Sequence, residues 1–528
     1  MSGEEMQRID EVLGESPRRF SRRTLLARGG QGAAGLAALS AGGGLGLSLA
    51  QGGVAQAATT APTLTPAGPP FGRYKTLPQI VPPYLQVTDF GTDLAQGLVM
   101  LTPSPLPTGR MMSTAQAVAA GLGMTGVQIT NPNGTLVWFH PVNGLATNLQ
   151  VQTYRGKPVL TYWAGKIVSG IGYGNGYLLD TGYNPVATIK AGNGLQVDLH
   201  ELTLTPQNTA IVTAYRNRAA DLTAIGGPAQ GVAIESVIQE IDIASGKVLF
   251  QWNSLDHVPV ADSYAKAQGT GPQDYFHINS VGLWDNNHLI VSSRNTWSAY
   301  LIDRRTGAIV WTLGGKKSDF HIGPGANFEW QHHIRRLGQK QMTVFDDGAV
   351  PVEEPTSRGL VLDIDETHKR VALAKAFIHP ARLLTYYEGS VQVLPNGNVF
   401  VGWGTEPYSS EFLPTGELLY DLRFPTNDQS YRAFRYPWTA NPSAPPLISL
   451  DKDQIGGYAL HASWNGATDV ASWQVLSGTS TKNLEPVAVV PKSGFETVIT
   501  THAQGPYVAA AALDVHGKRL GVSNPVRI

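Results

Sequence analysis

Short apolar runs of strand length, separated by turns rich in Gly, Asn and Asp, make up most of this chain. Between residue 76 and residue 440 one pattern repeats: an apolar strand, a turn, and a second strand that often ends in Trp or Phe. Six copies occur, and they begin at Val127, Tyr177, Ile238, Ala299, Leu360 and Ser410. The turn glycines Gly246 and Gly307 of two successive copies lie 61 positions apart. The repeat length is therefore roughly 50 to 60 residues, which is typical of a repeat architecture.

Further turns lie between these strand pairs, at Thr205–Asn208, Asp285–Asn287 and Pro395–Asn398. Two hairpins in each period make a four-stranded antiparallel unit. Six such units predict a β-propeller, since each blade of a propeller is a four-stranded sheet. A long array of β-sandwiches is the alternative, but it gives no reason for six copies of the same paired hairpin.

The pattern changes after Pro445 and Pro446. Residues 447–528 contain short alternating strands that suit a small β-sandwich of the fibronectin III or immunoglobulin-like kind. The predicted fold class is therefore all-β, with a six-bladed β-propeller over residues 76–440 followed by a sandwich over 447–528. No chemistry is assigned to the sandwich.

The first residues have the features of an export signal. Ser21–Leu26 contains a twin-arginine pair, a weakly apolar Gly/Ala run follows, and Ala55–Ala57 has the A-x-A form of a cleavage site. We therefore expect residues 1–57 to be a twin-arginine signal peptide and 58–75 a Pro/Thr-rich linker. The mature protein is expected in the periplasm, on the cell surface or secreted. It has no stretch of about eighteen apolar residues, so no membrane span is expected.

Composition narrows the possible functions. Lys and Arg number 39 against 40 Asp and Glu, a formal net charge of -1. This balance argues against nucleic-acid binding, which usually needs a basic excess. The chain has no cysteine, which excludes disulfides, thiolate metal sites and cysteine nucleophiles. No cofactor is expected.

Two segments combine residues that suit anion chemistry. His277 and Asn279 precede a strand pair that contains Arg294, and strand alternation predicts that the first two share a face. A guanidinium beside an imidazole and an amide forms a socket for a tetrahedral anion. In the second segment His332 and His333 are adjacent, so only one of them is expected to line a central channel. Their spacing does not decide which.

His200 is the third candidate. His200, His277 and His332 lie 77 and 55 positions apart, close to one repeat each. Equivalent positions on successive blades converge on a propeller axis, so we expect these three imidazoles to meet near Asn279 and Arg294. Four other histidines fall in predicted turns or outer strands and are expected to be solvated: His140, His257, His288 and His368.

Several motifs resemble the bacterial arylsulfotransferase family. They are Asp274–Ser280, Ser292–Asn295, Ile302–Gly307, Leu313–Gly315, Trp330–His332 and Pro395–Gly404. Members of that family are six-bladed propellers that move a sulfuryl group from a phenolic sulfate ester to a phenol without a nucleotide sulfate donor.

The resemblance implies a role for each matching residue. His332 would be the nucleophile that is transiently sulfated, while His277, Asn279 and Arg294 would hold the sulfate and His200 would be the remaining catalytic histidine. Trp330 and Gln331, which precede the nucleophile, would contribute to substrate binding. The expected partners are a small aryl sulfate and a phenol. The chain departs from the best-characterised branch of the family at His333, where that branch has an uncharged residue.

Two other functions compete with this one. The propeller could bind extracellular glycans or protein partners without catalysis, since one fold hosts many functions. Alternatively, the three imidazoles could hold a metal ion in a lyase or hydrolase, with Glu201 or Asp274 as the base. Arg294 would repel a cation at such a site.

Overall fold

The computed structural model describes residues 72–89, 91–105, 123–425, 428–452, 458–501 and 505–528. The predicted signal peptide and nearly all of the predicted linker lie outside these ranges. Strands dominate the described chain, together with four single-turn 3₁₀ helices: Thr223–Ile225, Ser254–Asp256, Val260–Asp262 and Gly315–Lys317. None of the described helices has the length and apolar character needed to cross a membrane.

The first five strands contribute to both ends of the repeat. They are β1 (Gln86–Asp89), β2 (Leu98–Leu101), β3 (Pro103–Pro105), β4 (Gly126–Thr130) and β5 (Leu136–Pro141). Strands β2, β4 and β5 are consecutive antiparallel members of the first blade.

The next three blades are each one continuous stretch of chain with four antiparallel strands in sequence order. The second blade consists of β6 (Leu145–Tyr154), β7 (Lys157–Val168), β8 (Ile171–Leu179) and β9 (Pro185–Ile189). The third consists of β10 (Leu202–Leu204), β11 (Thr209–Ala220), β12 (Gly231–Asp242) and β13 (Val248–Asn253). The fourth consists of β14 (Ile278–Leu283), β15 (His288–Ser293), β16 (Ser298–Asp303) and β17 (Ile309–Gly314).

The last two blades each carry one extra strand at the outer edge. The fifth consists of β18 (His321–Ile322), β19 (His332–Leu337), β20 (Gln341–Asp346), β21 (Arg358–Asp365) and β22 (Arg370–Phe377). The sixth contains β23 (Ser390–Val393), β24 (Val399–Gly402), β25 (Tyr408–Phe412) and β26 (Leu418–Arg423). The short strands β27 (Asp428–Ser430) and β28 (Phe434–Tyr436) follow.

Strands from opposite ends of the repeat close the ring. β28 pairs with β2 and becomes the innermost strand of the first blade, while β1 adds to β26 at the outer edge of the sixth. β3 also pairs with β27. Contacts between inner strands run from β6 through β10, β11, β14, β19, β23 and β28 back to β6. The all-β, six-bladed propeller predicted from the repeat is confirmed, and the repeated strand pair corresponds to the third and fourth strands of each blade, counted from the axis.

The aromatic residue that ends many repeats packs between neighbouring blades. Trp138, Trp252 and Trp311, on the outermost strands of three blades, are almost fully buried. The indole N–H of Trp252 donates to the carbonyl of Gly307 in the next blade at 3.1 Å. Burial of one such ring contributes roughly 3 kcal/mol or more, which explains why the outer strands keep it.

Two further sheets follow the propeller. Their strands are β29 (Leu447–Lys452), β30 (Tyr458–Ser463), β31 (Ser472–Ser480), β32 (Asn483–Pro491), β33 (Glu496–Thr501), β34 (Tyr507–Leu513), β35 (Arg519–Val522) and β36 (Val526–Arg527). One sheet has the order β29-β30-β33 and the other β32-β31-β34-β35, with β36 on β34. Both sheets contribute to one core that includes Leu460, Trp473 and Ile499, which makes this part a β-sandwich. Its relation to fibronectin III modules stays a prediction.

Candidate active site at the hub of the propeller

Three imidazoles lie at equivalent points of three successive blades, where the innermost strand begins. His200 precedes β10 by two residues, His277 immediately precedes β14, and His332 is the first residue of β19. The rings of His200 and His277 are 4.8 Å apart and nearly perpendicular. Because the inner strands surround the axis, these equivalent positions lie at the same end of the hub.

The strand-alternation argument used for His277 and Asn279 is wrong. His277 lies outside β14 with a left-handed φ of 54°, and the register of β14 shifts between Ile278 and Ser280. A bulge of this kind redirects side chains and breaks the period-two pattern. The same applies to the adjacent histidines, since His333 has a φ of 50° within a second register shift.

Each of the three hub imidazoles binds a carboxylate through Nδ1. The Nδ1···Oδ2 distances are 2.5 Å for His200–Asp198, 2.6 Å for His277–Asp274 and 2.8 Å for His332–Asp347. A carboxylate at Nδ1 fixes the proton there and leaves Nε2 unprotonated, with its lone pair as an acceptor. Asp198 and Asp274 lie two and three positions before their partners, which is a detectable local signal. Asp347 follows β20 and has no such signal.

Burial and nearby cations favour the neutral form of the central imidazole. The pKa of His332 lies well below its usual value, because burial disfavours the charged ring and Arg294 adds a repulsive positive charge. Burial also lowers the pKa of His200. The pKa of Asp347 is raised by burial, and the positive charge of Arg294 opposes that rise. At neutral pH His332 is therefore uncharged.

Arg294 is a nearly buried cation without strong partners. Its guanidinium makes hydrogen bonds of 3.2 Å to the side-chain oxygen of Asn295 and of 3.4 Å to the carbonyls of Ala349 and Tyr386, and its buried Nε has no partner among the described residues. The group lies 4.7 Å from the ring centre of Trp330 and 5.2 Å from that of Tyr387. Among the described residues no carboxylate pairs with it within 4 Å. A buried guanidinium held in this way retains its capacity to bind an anion.

Asn279 and Gln331 connect the fourth blade to the fifth. The amide nitrogen of Asn279 donates to the carbonyl of Gln331 at 2.6 Å; it carries a second hydrogen that is free to bind a ligand. The amide nitrogen of Gln331 donates to the carbonyl of Ser293 at 2.9 Å, and it also contacts Ser292 and Ser298. Gln331 therefore holds the start of β19, and with it His332, against the fourth blade.

Trp330 is buried directly beside Arg294 and has a φ of 55°. Its ring also meets Trp297 edge to face at 5.1 Å. The Trp330 side chain thus limits the positions available to the guanidinium, while its own buried Nε1 has no partner among the described residues.

His333 occupies a different environment from His332. Its Nδ1 accepts a hydrogen bond from the backbone of Val391 at 3.3 Å, and its ring lies 5.4 Å from Phe434. These contacts belong to the packing of the fifth and sixth blades and the closing strand. The two adjacent histidines are thereby distinguished, because His332 has the carboxylate partner and is the one whose charge is coupled to His277, His200 and Arg294.

Sequence reasoning missed three residues at the hub, all from the last part of the propeller. Glu388 donates its backbone N–H to Nε2 of His332 at 3.4 Å. The ring of Tyr431 lies 5.8 Å from that of His200, and its buried hydroxyl has no partner among the described residues. Arg432 is fully buried and donates to Asn279. Glu388 follows His332 by 56 positions and precedes β23 by two residues, as His200 precedes β10, so the repeat spacing is a signal that could have found it. Tyr431 and Arg432 follow Glu388 by only 43 and 44 positions, outside the spacing of the repeat.

The described residues contain no group of three or more His, Cys, Asp or Glu side chains arranged to hold a metal ion. The site instead combines imidazoles, a guanidinium and an amide around one end of a six-bladed propeller. The positive charge and hydrogen-bond donors of this set suit an anionic ligand.

The chain belongs to the arylsulfotransferase family. The family described as Arylsulfotransferase (ASST) matches residues 150–424, which are 275 of the 528 residues and include every candidate site residue predicted from the sequence. No curated protein matches the chain.

Solved structures resemble the chain only distantly. A protein of unknown function from Bacteroides caccae is 12% identical, with 64% of this chain and 98% of that chain covered and a TM-score of 0.37. A β-propeller domain of Cps50 (Swd1) from Myceliophteria thermophila is 10% identical, with 61% and 99% covered and a TM-score of 0.29. A catalytically inactive virginiamycin B lyase from Staphylococcus aureus is 9% identical, with 61% and 83% covered and a TM-score of 0.23.

Proposed function

We propose that this protein is an aryl-sulfate sulfotransferase in which His332 carries the sulfuryl group between a phenolic sulfate ester and a phenol. The main support is the state of His332: a buried, neutral imidazole whose Nδ1 is bound to Asp347 and whose Nε2 lies among cationic and donor groups. A neutral imidazole is a competent nucleophile without a thiolate or a metal.

In the first half-reaction Nε2 of His332 attacks sulfur, an N–S bond forms, and the ester S–O bond breaks with release of a phenol. Sulfuryl transfer resembles phosphoryl transfer, in which charge spreads over the equatorial oxygens of a loose transition state. Arg294 and Asn279 are the donors for those oxygens, and His277 joins them in its imidazolium form, since Asp274 takes up the hydrogen on Nδ1. Loss of one preorganised donor of this kind typically costs about 3 to 4 kcal/mol of barrier.

In the second half-reaction an acceptor phenol attacks the sulfohistidine, the N–S bond breaks and a new sulfate ester forms. Asp347 stabilises the positive charge that the ring carries while it is sulfated, since it accepts the Nδ1 hydrogen. His200 lies 4.8 Å from His277, ring centre to ring centre, and is a candidate for contacts with the phenol. The predicted signal peptide would take this activity outside the cytoplasm.

The test is turnover of 4-nitrophenyl sulfate with a phenol as acceptor. His332→Asn should abolish nitrophenol release, and the wild-type protein treated with donor alone should gain one SO₃ group on His332, detectable by peptide mass spectrometry. His333→Asn is the matched control, because it alters the neighbouring imidazole that packs against Phe434; it should keep turnover if thermal unfolding shows that it folds. Undiminished turnover in His332→Asn would overturn the proposal. A wild-type protein that neither turns over nor is thermally protected by sulfate esters would instead favour a binding propeller with another ligand.

A further inference from the structure

Glu388 occupies a strained position beside the proposed nucleophile. It precedes β23 by two residues, and its backbone N–H is 3.4 Å from Nε2 of His332. Its φ is 74°, in the left-handed region that non-glycine residues seldom adopt. The next residue, Gly389, donates its N–H to the carbonyl of Tyr431 at 3.0 Å, which ties the segment to the chain that closes the ring. Strain of this kind is retained mainly at functional sites.

The carboxyl group of Glu388 is poorly satisfied. Its Oε2 is buried and has no hydrogen-bond partner, and its Oε1 has one long contact of 3.5 Å with the amide of Gln429. No cationic side chain pairs with it among the described residues. Burial accordingly raises the pKa of Glu388 to about 8. An unpaired buried carboxyl destabilises the fold, so its presence calls for a functional explanation.

Other buried glutamates of the propeller have strong partners. Glu201 binds Arg335 at 2.6 Å, and Glu411 lies 3.1 Å from the guanidinium of Arg435. Each of these two carboxylates is therefore paired with a cation inside the propeller. Glu388 differs from both in lacking a cation.

The groups packed around Glu388 come from three parts of the hub. They are His332 on β19, Asp347 after β20, Gln429 on β27, and Tyr431 between β27 and β28. Burial raises the pKa values of both Asp347 and Tyr431, and the negative charge of Glu388 adds to each rise. Since Tyr431 in turn lies beside His200, the Glu388 carboxyl belongs to the same side of the hub as the imidazoles.

We infer that Glu388 is the acid–base group of the proposed transfer: its carboxylic acid protonates the departing phenolate, and its carboxylate then removes the proton of the acceptor phenol. This inference rests on the proposed function. In the first step the S–O electron pair goes to the phenol oxygen, which takes the Glu388 proton. In the second step the phenol O–H proton returns to Glu388 as the O–S bond forms and the N–S bond breaks. One proton is thus passed out and recovered in each cycle, and no co-reactant is needed.

The chemistry of the two partners suits such a role. A phenolate has a parent pKa of about 10, so it is a poor leaving group that benefits from protonation. A carboxyl group whose pKa is near the working pH is populated in both forms and can serve both half-reactions. The two other imidazoles are each already paired with a carboxylate through Nδ1.

The test compares donors that differ in their need for an acid. Release of phenol from phenyl sulfate and of nitrophenol from 4-nitrophenyl sulfate is measured in the first half-reaction, for wild type and Glu388→Gln. We expect the variant to lose about 10²-fold or more with phenyl sulfate, the usual size of an acid–base contribution, and only a few-fold with 4-nitrophenyl sulfate. Asp428→Asn is the matched control: Asp428 is a second buried carboxyl, with a pKa raised to about 7 by burial. It should leave the ratio of the two rates unchanged.

The pH profile of the wild-type protein is a second readout that does not depend on the variant's folding. The wild-type rate with phenyl sulfate should fall as the pH rises through about 8, since the acid form is then lost, while the rate with 4-nitrophenyl sulfate should change little. Equal losses with both donors in Glu388→Gln, or identical wild-type profiles for the two, would overturn the role of Glu388 and leave the proposed transfer standing. A wild-type protein that releases no phenol from any aryl sulfate would overturn the proposed function, and this inference with it.

Discussion

At the scale of single residues, the carboxylate partners decide what the hub imidazoles can do. Asp347 is fully buried and accepts from Nδ1 of His332 at 2.8 Å. It fixes the ring orientation and the tautomer in which Nε2 carries no proton, which is how a buried carboxylate assists a catalytic histidine. Its second oxygen has no partner among the described residues, so the interaction with His332 is the one that holds it.

Replacement of Asp347 by Asn should leave the fold intact and remove most of the activity. An amide at this position no longer enforces the proton on Nδ1, and the equivalent change in a related triad lowers kcat by about 10⁴. We expect a loss of about 10²-fold to 10⁴-fold in kcat with 4-nitrophenyl sulfate. Asp365→Asn is the control, since Asp365 makes the same kind of pair with His368 at 2.8 Å on the exposed surface. Near-normal kcat in Asp347→Asn would show that the tautomer of His332 is set by something else.

The hub residues that could be predicted from the sequence differ from the missed ones in how they are placed along the chain. His200, His277 and His332 repeat with the blades, so their convergence was predictable from spacing. Glu388 follows His332 by 56 positions and fits the same period, but it is not a histidine, so the spacing of the histidines does not single it out. Asp347 comes from the segment after β20, where no period applies. The alternation rule failed because His277 and His333 have left-handed backbones, which a pattern of apolar residues does not reveal.

At the scale of elements, the blades are joined at the hub by buried polar contacts in addition to their apolar faces. Arg432 precedes the closing strand β28. Its guanidinium donates to the side-chain oxygen of Asn148 within β6 and to the carbonyl of Asn279 on β14, each at 2.8 Å. It also lies 3.6 Å from the carboxylate of Glu201. One side chain at the end of the repeat therefore links three other blades.

Arg432→Met should destabilise the propeller substantially. Hydrogen bonds to charged groups contribute about 1.5 to 3 kcal/mol each, and removal of one partner leaves the others buried and unsatisfied. We expect the free energy of unfolding in urea to fall by about 3 kcal/mol or more. Arg305→Met is the control, because Arg305 is exposed on the turn between β16 and β17 and should change stability by about 0.5 kcal/mol or less. Equal effects of the two substitutions would contradict a structural role for Arg432 at the hub.

The strand pairs of each blade could be predicted because they are local and repeat in the sequence. The closure could not, because β1 and β28 pair with strands from the opposite end of the repeat. Such pairings depend on three-dimensional proximity and carry no short-range pattern. The six copies predicted the number of blades, while the strands that complete the first and sixth appear only in the structure.

At the scale of the whole molecule, the C-terminal sandwich packs against the first blade and the segment that precedes β1. Phe495 lies 4.4 Å from Tyr74, ring centre to ring centre, and shares an apolar cluster with Leu77, Ile80 and Phe139. Next to it, Glu496 accepts hydrogen bonds from the backbone and hydroxyl of Thr76. None of these residues belongs to the hub.

Because this contact lies away from the hub, we expect a substitution in it to lower thermal stability without lowering the rate of turnover. Phe495→Ala should cost about 3 to 5 kcal/mol of packing at the contact, so the sandwich should unfold at a lower temperature, seen in calorimetry as an earlier or separate transition. Turnover of 4-nitrophenyl sulfate at 25 °C should stay within a factor of about two, because the hub is built by the six blades alone. Val498→Ala is the matched control: Val498 lies three residues further on, on β33, and is 57% exposed, so the substitution should change neither quantity. Phe495→Ala could instead lose turnover at a temperature where the protein remains folded. The sandwich would then help to hold the hub residues in their active arrangement, and the hub would not be built by the six blades alone.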